Sequence, residues 1–145
     1  MAALVRIMED INKKLQGKPA PKVLIFVYGT LKRNGSLNSH LHGQEFVAEA
    51  TTQALYRMYR HQDGWYPILV EDENGIEIEG EVWRVSQDVI PVLDRVEGDE
   101  YQRTVIRLKP PFDEELVKAW VYDGKVRQDE LPELGPCWRA SNGTQ

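Results

Sequence analysis

Lys22-Val23-Leu24-Ile25-Phe26-Val27-Tyr28-Gly29-Thr30-Leu31-Lys32 is the stretch on which the reading of this chain turns. An apolar run over 23–27 stops abruptly at Tyr28-Gly29-Thr30-Leu31. A run so short, β-branched and sharply bounded reads as a buried strand rather than a helix. The chain then turns at Gly29. A strand that runs into a tight glycine turn presents backbone N–H groups with no ladder partner. Such groups favour a carboxylate, a phosphate or an amide oxygen that gains negative charge. The stretch therefore predicts a binding site made of backbone, fixed at the end of a rigid strand.

Downstream, Asn34-Gly35 marks a turn, and Ser36 is the expected N-cap of a short helix carrying Leu37 and Leu41 and ended by Gly43. Phe46, Ala48 and Ala50 alternate, as do Leu55, Arg57 and Tyr59, which predicts two strands. Gly64-Trp65-Tyr66-Pro67 is a turn with two aromatics, followed by an apolar strand over 68–70. Asn74-Gly75 is a hairpin-like turn signal. The alternation over 76–82 slips around Gly80 and Trp83, as at a bulge or a close backbone approach.

The period then changes. Val89, Ile90, Val92, Leu93 and Val96 share one helical face. With Asp88 as N-cap, Pro91 falls in the first turn, where its missing N–H costs nothing, and Gly98 stops the helix; the spacing predicts a helix over 89–97. Two more strands follow, on Thr104, Ile106 and Leu108 and on Val117, Ala119 and Val121. Many strands with few short helices predict an α+β domain over 22–127, with a mixed sheet curling toward a barrel. Residues 1–21 form an extension in which Leu4, Val5, Met8, Ile11 and Leu15 recur at helical spacing. Its two readings are a partner contact and an appendage on the body. Residues 128–145, with Pro132, Gly135 and Pro136, read as an irregular tail.

A chain of 145 residues with 41% hydrophobic and 28% charged content is long enough to bury its own core without staples. A formal charge of −5 and the lack of any long Lys/Arg run argue against a nucleic-acid partner. The lone Cys137 excludes an internal disulfide and, with no signal-peptide pattern, suggests a cytoplasmic setting. No apolar run approaches the roughly 20 residues that span a bilayer, so no membrane association is expected. His40, His42 and His61 have no metal-ligand company, so no metal is expected. Oligomeric state is not legible.

The side chains that carry chemistry lie in Leu93-Asp94-Arg95-Val96-Glu97-Gly98 and Tyr101-Gln102-Arg103. Asp94 and Glu97 stand i,i+3 on one helix face beside the apolar stripe. Desolvation there raises a carboxyl pKa and makes it a proton carrier near neutrality. Taken alone, such a pair is more often a solvated helix face, and a strand-ending Tyr-Gly is more often plain turn chemistry.

Together, these residues resemble the motifs of a known family. Phe26-Val27-Tyr28-Gly29-Thr30-Leu31-Lys32-Arg33, Tyr66-Pro67-Ile68, Glu79-Gly80-Glu81-Val82, Leu93-Asp94 with Glu97, Tyr101-Gln102-Arg103-Thr104-Val105 and Trp120-Val121-Tyr122 resemble the γ-glutamyl cyclotransferase-like superfamily, which includes the γ-glutamylamine cyclotransferases and the plant AIG2-like proteins. The resemblance covers about residues 22–123. It implies a small mixed β-barrel with flanking short helices. Tyr28, Gly29, Thr30 and Leu31 would hold a γ-glutamyl group through backbone donors and stabilise an oxyanion. Glu97 matches the family's catalytic glutamate. It would take a proton from the substrate's α-ammonium, and the freed amine would close on the γ-carbonyl to give 5-oxoproline. The same carboxyl would then protonate the departing amine. Ring closure is intramolecular, so no cofactor is implied.

Tyr101 and Tyr122 are candidates to line the pocket, with core packing as the equal alternative. Trp65 and Tyr66 would form a wall or simply pack. Asp94 would support the fold and Arg103 a salt bridge. Lys32 and Arg33 would be a solvated pair or would draw a substrate carboxylate. The partner implied is a small γ-glutamyl amine or isopeptide. The alternative is a non-catalytic binding or regulatory protein that uses the same pocket.

Overall fold

Strand β1 (Lys22–Val27) lies at the centre of the molecule, buried on both faces. A computed structural model describes residues 20–62, 64, 66–123 and 131–139. On one face of β1, Ile25 and Val27 join Leu41, Trp83, Ile90, Leu93 and Trp120. On the other, Phe26 and the following Tyr28 join Met58, Leu69, Val82, Val117 and Ala119. Double burial is why β1 reads as a continuous apolar run rather than an alternation.

The remaining elements are β2 (Glu45–Thr51), β3 (Tyr56–Arg60), β4 (Pro67–Glu71), β5 (Glu79–Ser86), α1 (Ile90–Glu97), β6 (Tyr101–Val105) and β7 (Val117–Tyr122). Among the described residues a five-stranded sheet runs in the order β2-β5-β1-β7-β6, and β3 and β4 form a separate antiparallel pair. The β1–β7 pairing is parallel, with Leu24 opposite Val117, and the other neighbours in the sheet are antiparallel. The two edge strands are brought together beyond their ends. Thr52 and Leu108 form an antiparallel bridge, flanked by Gln53 N–H to Arg107 O at 2.9 Å and Lys109 N–H to Thr51 O at 2.9 Å. The sheet is thus an incompletely closed barrel around the Phe26 cluster, with α1 packed outside against Trp83 and Trp120. The expected α+β class with a curled mixed sheet and short helices is what the chain forms.

Local details differ from the sequence pattern. Asn74-Gly75 does turn the chain, with Asp72 Oδ1 accepting from Asn74 N–H and Asp72 O from Gly75 N–H, each at 2.9 Å. It is not a hairpin, because both edges of β5 are taken by β1 and β2 and none is left for β4. The slip at Gly80 is a close approach: a Cβ there would lie 2.4 Å from Phe26 Cζ and 2.5 Å from Val27 O. The bulge sits on the facing strand, between Phe46 and Ala48. The cap before α1 is Ser86, whose hydroxyl accepts from Asp88 N–H at 3.3 Å and starts a 3₁₀ turn over Gln87–Val89. Ser36 caps no helix; a single 3₁₀ turn forms over Asn38–Leu41. Strand β6 spans Tyr101–Val105, where it pairs with β7, so of the expected alternation only Thr104 lies in it, and buried Ile106 and Leu108 follow the end of the ladder.

The expected helical segment within 1–16 lies outside the described residues, as do 128–130 and 140–145 of the tail. Residues 131–139 are irregular yet attached: Arg60 N–H donates to Pro132 O at 2.9 Å, Leu134 N–H to Met58 O at 2.8 Å and Glu79 N–H to Pro136 O at 2.7 Å. Among the described residues no helix is long and apolar enough to cross a membrane. Trp138, only 4% exposed, completes the Phe26 cluster. Trp138→Ala is therefore expected to cost about 3–5 kcal/mol of unfolding free energy in a denaturant titration, whereas removal of a loosely attached tail residue would leave the midpoint unmoved.

Candidate active site

The end of β1 opens into the site. At Gly29 a Cβ would lie 2.5 Å from Pro67 Cγ, so only glycine lets the turn close against β4. Gly35 makes the second close approach, where a Cβ would meet Thr30 O at 2.1 Å. Lys32 N–H to Gly29 O at 3.0 Å and Leu37 N–H to Thr30 O at 2.9 Å shape the turn, and Asn38 Nδ2 donates to Leu31 O at 2.8 Å. The carbonyls are thereby occupied. Among the described residues, the amides of Gly29, Thr30 and Leu31 have no protein acceptor.

A buried carboxylate locks the loop from outside. Glu81 accepts from the Arg33 amide at 3.0 Å, from Arg33 Nε at 3.1 Å and from Trp83 Nε1 at 3.1 Å. Arg33 also lies over the Phe46 ring, 3.8 Å from its centroid. Lys32 donates to the carbonyl of Trp138. Lys32 and Arg33 are therefore both held by the protein, Arg33 while still exposed, and neither is among the residues that line the cavity beside 28–31.

That cavity has a volume of about 370 Å³, within the range of small-molecule sites. Its walls bring together Tyr28, Gly29, Thr30, Leu31, Tyr66, Pro67, Glu97, Asp99, Glu100, Tyr101 and Trp120. Glu97 is the last residue of α1, and Gly98, at φ +92°, turns the chain out of the helix with its amide on Asp94 O at 3.0 Å. Burial pushes the Glu97 carboxyl up from 4.5 to about 7. Among the described residues no cation or hydrogen-bond donor pairs with it, and desolvation goes unopposed. Tyr28 and Tyr101 are raised as well, first by their own burial and then by the charge of Glu97. The Tyr28 hydroxyl takes a hydrogen bond from the Leu69 amide and donates to Trp120 O. Tyr101 donates to Pro67 O at 3.1 Å.

Of the residues singled out in the sequence, Tyr28, Gly29, Thr30, Leu31, Glu97 and Tyr101 line one cavity. Tyr122 is not on its surface. It stands behind Tyr101, edge to face at 5.7 Å between ring centroids. Tyr66 forms a wall, and Trp65 lies outside the described residues. Asp94 faces away from the cavity, accepting from Trp120 Nε1 at 2.8 Å and from Arg103 Nε at 3.2 Å, which fixes α1 to β7 and β6. Sequence reasoning missed His61 and Glu100. Buried His61 stacks on Tyr66 at 4.7 Å, and its Nε2 lies 3.0 Å from Glu100 Oε2. No spacing in the chain announces this pair, which forms only when the β3–β4 connection folds over the end of α1. Among the described residues no cluster of His, Cys, Asp or Glu is arranged to hold a metal ion.

Comparison with known proteins agrees with this architecture. Residues 25–140 match the family described as γ-glutamyl cyclotransferase, AIG2-like, and the chain belongs to that family. It is 38% identical over 99 residues to γ-glutamylaminecyclotransferase A of Danio rerio, a match covering 63% of this chain and 62% of the relative. It is 34% identical over 101 residues to a putative γ-glutamylcyclotransferase of Vibrio cholerae, covering 68% and 79%. The match thus spans under two thirds of the zebrafish relative's length. In three dimensions it superposes on an AIG2-like protein from Mus musculus with a TM-score of 0.72 at 21% identity, covering 81% of this chain and 88% of the other.

The raised carboxyl has a consequence for stability. Between about 4.5 and 7 the folded chain holds a proton on Glu97 that the unfolded chain releases. Protons bound in excess by the folded state mean that this contribution to stability falls as pH rises across the window, with the full penalty above it. Glu97→Gln removes the titration. The variant is expected to exceed the wild type in unfolding free energy by roughly 1–3 kcal/mol at about pH 8, with the difference vanishing toward about pH 4. Paired denaturant titrations across that range measure it.

Proposed function

We propose that the protein is a γ-glutamyl cyclotransferase acting on γ-glutamyl amines or isopeptides. The observation that carries this reading is that one cavity is lined both by a carboxyl raised to about 7 and by a turn whose amides, like that carboxyl, have no partner among the described residues. Family membership and the printed activity of the zebrafish relative support it.

In the proposed reaction the turn at 28–31 holds the γ-glutamyl group. Ionised Glu97 accepts a proton from the α-ammonium. The freed nitrogen attacks the γ-carbonyl carbon, and the N–C bond closes a five-membered ring. The carbonyl oxygen gains negative charge beside the amides of Gly29, Thr30 and Leu31. When this intermediate collapses, the original C–N bond breaks. Protonated Glu97 returns its proton to the leaving nitrogen, and the carboxylate so regenerated takes the second proton from the ring nitrogen and releases it to solvent, giving 5-oxoproline and a free amine. A carboxyl near 7 is suited to both halves of this transfer, because at neutral pH it accepts and donates with similar ease. The attacking and leaving groups belong to one molecule, so the site has chiefly to hold the cyclising conformer. This chemistry calls for no cofactor.

Glu97→Gln keeps the size of the side chain but cannot accept a proton at working pH. It is expected to lower 5-oxoproline release by about 10² to 10⁴ while ligand binding persists. Wild-type kcat/KM is expected to rise with pH to a plateau above about 7, as Glu97 ionises. Normal turnover by folded Glu97→Gln would reject the assignment of the base. Binding of γ-glutamyl compounds by the wild type without any 5-oxoproline would instead identify a non-catalytic binding protein.

A further inference from the structure

The cavity is electrostatically lopsided. Its walls include the turn that carries the amides of Gly29, Thr30 and Leu31. They also include Asp99 and Glu100, which follow Glu97 along the chain. Among the described residues no Lys, Arg or His lines the cavity. Of the cations close to these residues along the chain, Lys32 is committed to Trp138 O, Arg33 to Glu81 and Arg103 to Asp94, and Arg95 is exposed and not part of the cavity lining. An anionic group on the substrate can be matched by these backbone donors. A second anionic group, carried on the amine that leaves, would meet the carboxylates of Asp99 and Glu100.

The two acidic residues beyond Glu97 differ. Asp99 is exposed on the turn that leaves α1. Glu100 is held: His61 Nε2 is 3.0 Å from its Oε2, and the Tyr122 hydroxyl bonds to it as well. His61 in turn is clamped between the Tyr66 ring, stacked at 4.7 Å, and the edge of Tyr122 at 6.0 Å. His61 is buried, whereas the Glu100 side chain is 56% exposed. A buried frame thus fixes the position of a carboxylate that still faces solvent at the cavity wall. A fixed charge discriminates between ligands, whereas a freely swinging one yields to them.

Resting on the proposed reaction, we infer that Glu100 is the specificity-determining residue for the leaving amine: framed by His61 and Tyr122, it favours cationic and neutral amines over those that carry a carboxylate. The hydrogen bonds from His61 and Tyr122 hold the Glu100 carboxyl below its usual range, so the charge persists wherever Glu97 works. The cavity therefore holds two carboxyls moved in opposite directions. One is poised to exchange a proton, and the other is kept ionised.

The test uses three γ-glutamyl amides of matched length, whose leaving amines are 1,5-diaminopentane, pentylamine and 5-aminopentanoate. Wild-type kcat/KM is expected to fall from the cationic or neutral compound to the anionic one by about tenfold or more, the scale of one like-charge contact near a protein surface. Glu100→Gln is expected to shrink the cationic-to-anionic ratio about tenfold and Glu100→Lys to invert it, while Asp99→Asn changes it less. A ratio unmoved by Glu100→Gln in folded protein overturns the inference, as does a larger shift from Asp99→Asn. If the wild type turns over none of the three, the reading of the reaction fails instead. Charge preference is then read from calorimetric binding of the same compounds, where equal affinities for all three overturn it.

Discussion

Immobility of the end of β1 is the constraint on which the rest of the structure depends. Both edges of β1 are hydrogen-bonded, to β5 and β7, and both faces are covered by separate apolar clusters. A strand held on all four sides cannot shift its register without exposing one of those clusters. The turn that follows inherits that rigidity. It is then fixed three times more, by Pro67 against Gly29, by Thr30 O against Gly35 and by Glu81 on Arg33. Backbone donors bind well only when they need not reorganise. Here the reorganisation is prevented by packing far larger than the site itself.

Three acidic residues close together in the chain show how environment assigns roles to one functional group. Asp94 is matched by Trp120 and Arg103 and serves as a strut between α1 and the sheet. Glu97, one helical turn on, is desolvated by burial and has no donor among the described residues, and its proton is held to about 7. Glu100 sits past the helix end, where His61 and Tyr122 hold it ionised. The differences arise from what faces each carboxyl across the fold. A rotation of α1 by one residue would exchange their surroundings, so the Asp94–Trp120 contact bears on the chemistry through geometry alone.

Much of this was legible in the chain. The buried strand, the glycine turn, the helix ending at Gly98 and the apolar stripe beside Glu97 are local patterns, and local patterns survive in a linear reading. The family motifs then joined residues 28–31 to Glu97, which no periodicity would have done. What escaped was non-local. Gly80 was visible as an irregularity, but that it admits the Phe26 ring and the Val27 carbonyl depends on a strand more than fifty residues earlier. His61 looked like a histidine without companions because Glu100 and Tyr122 reach it only through the β6–β7 pairing. The tail looked detached because one tryptophan, Trp138, anchors it, and a single residue has no period.

The parallel pairing of β1 with β7 has a kinetic meaning. Leu24 lies opposite Val117, so the central strand finds one of its neighbours only after nearly the whole domain has been threaded between them. Antiparallel contacts with β5 form over a shorter span, yet they leave one edge of β1 open. Closing so long a loop is entropically costly and slow. During synthesis the end of β1 therefore waits, half paired, until the last strand emerges. The cavity comes into being late, all at once, when Trp120 arrives to receive the Tyr28 hydroxyl. A growing chain that stops short of β7 has an unsatisfied strand edge at its centre, the feature that invites pairing with another chain.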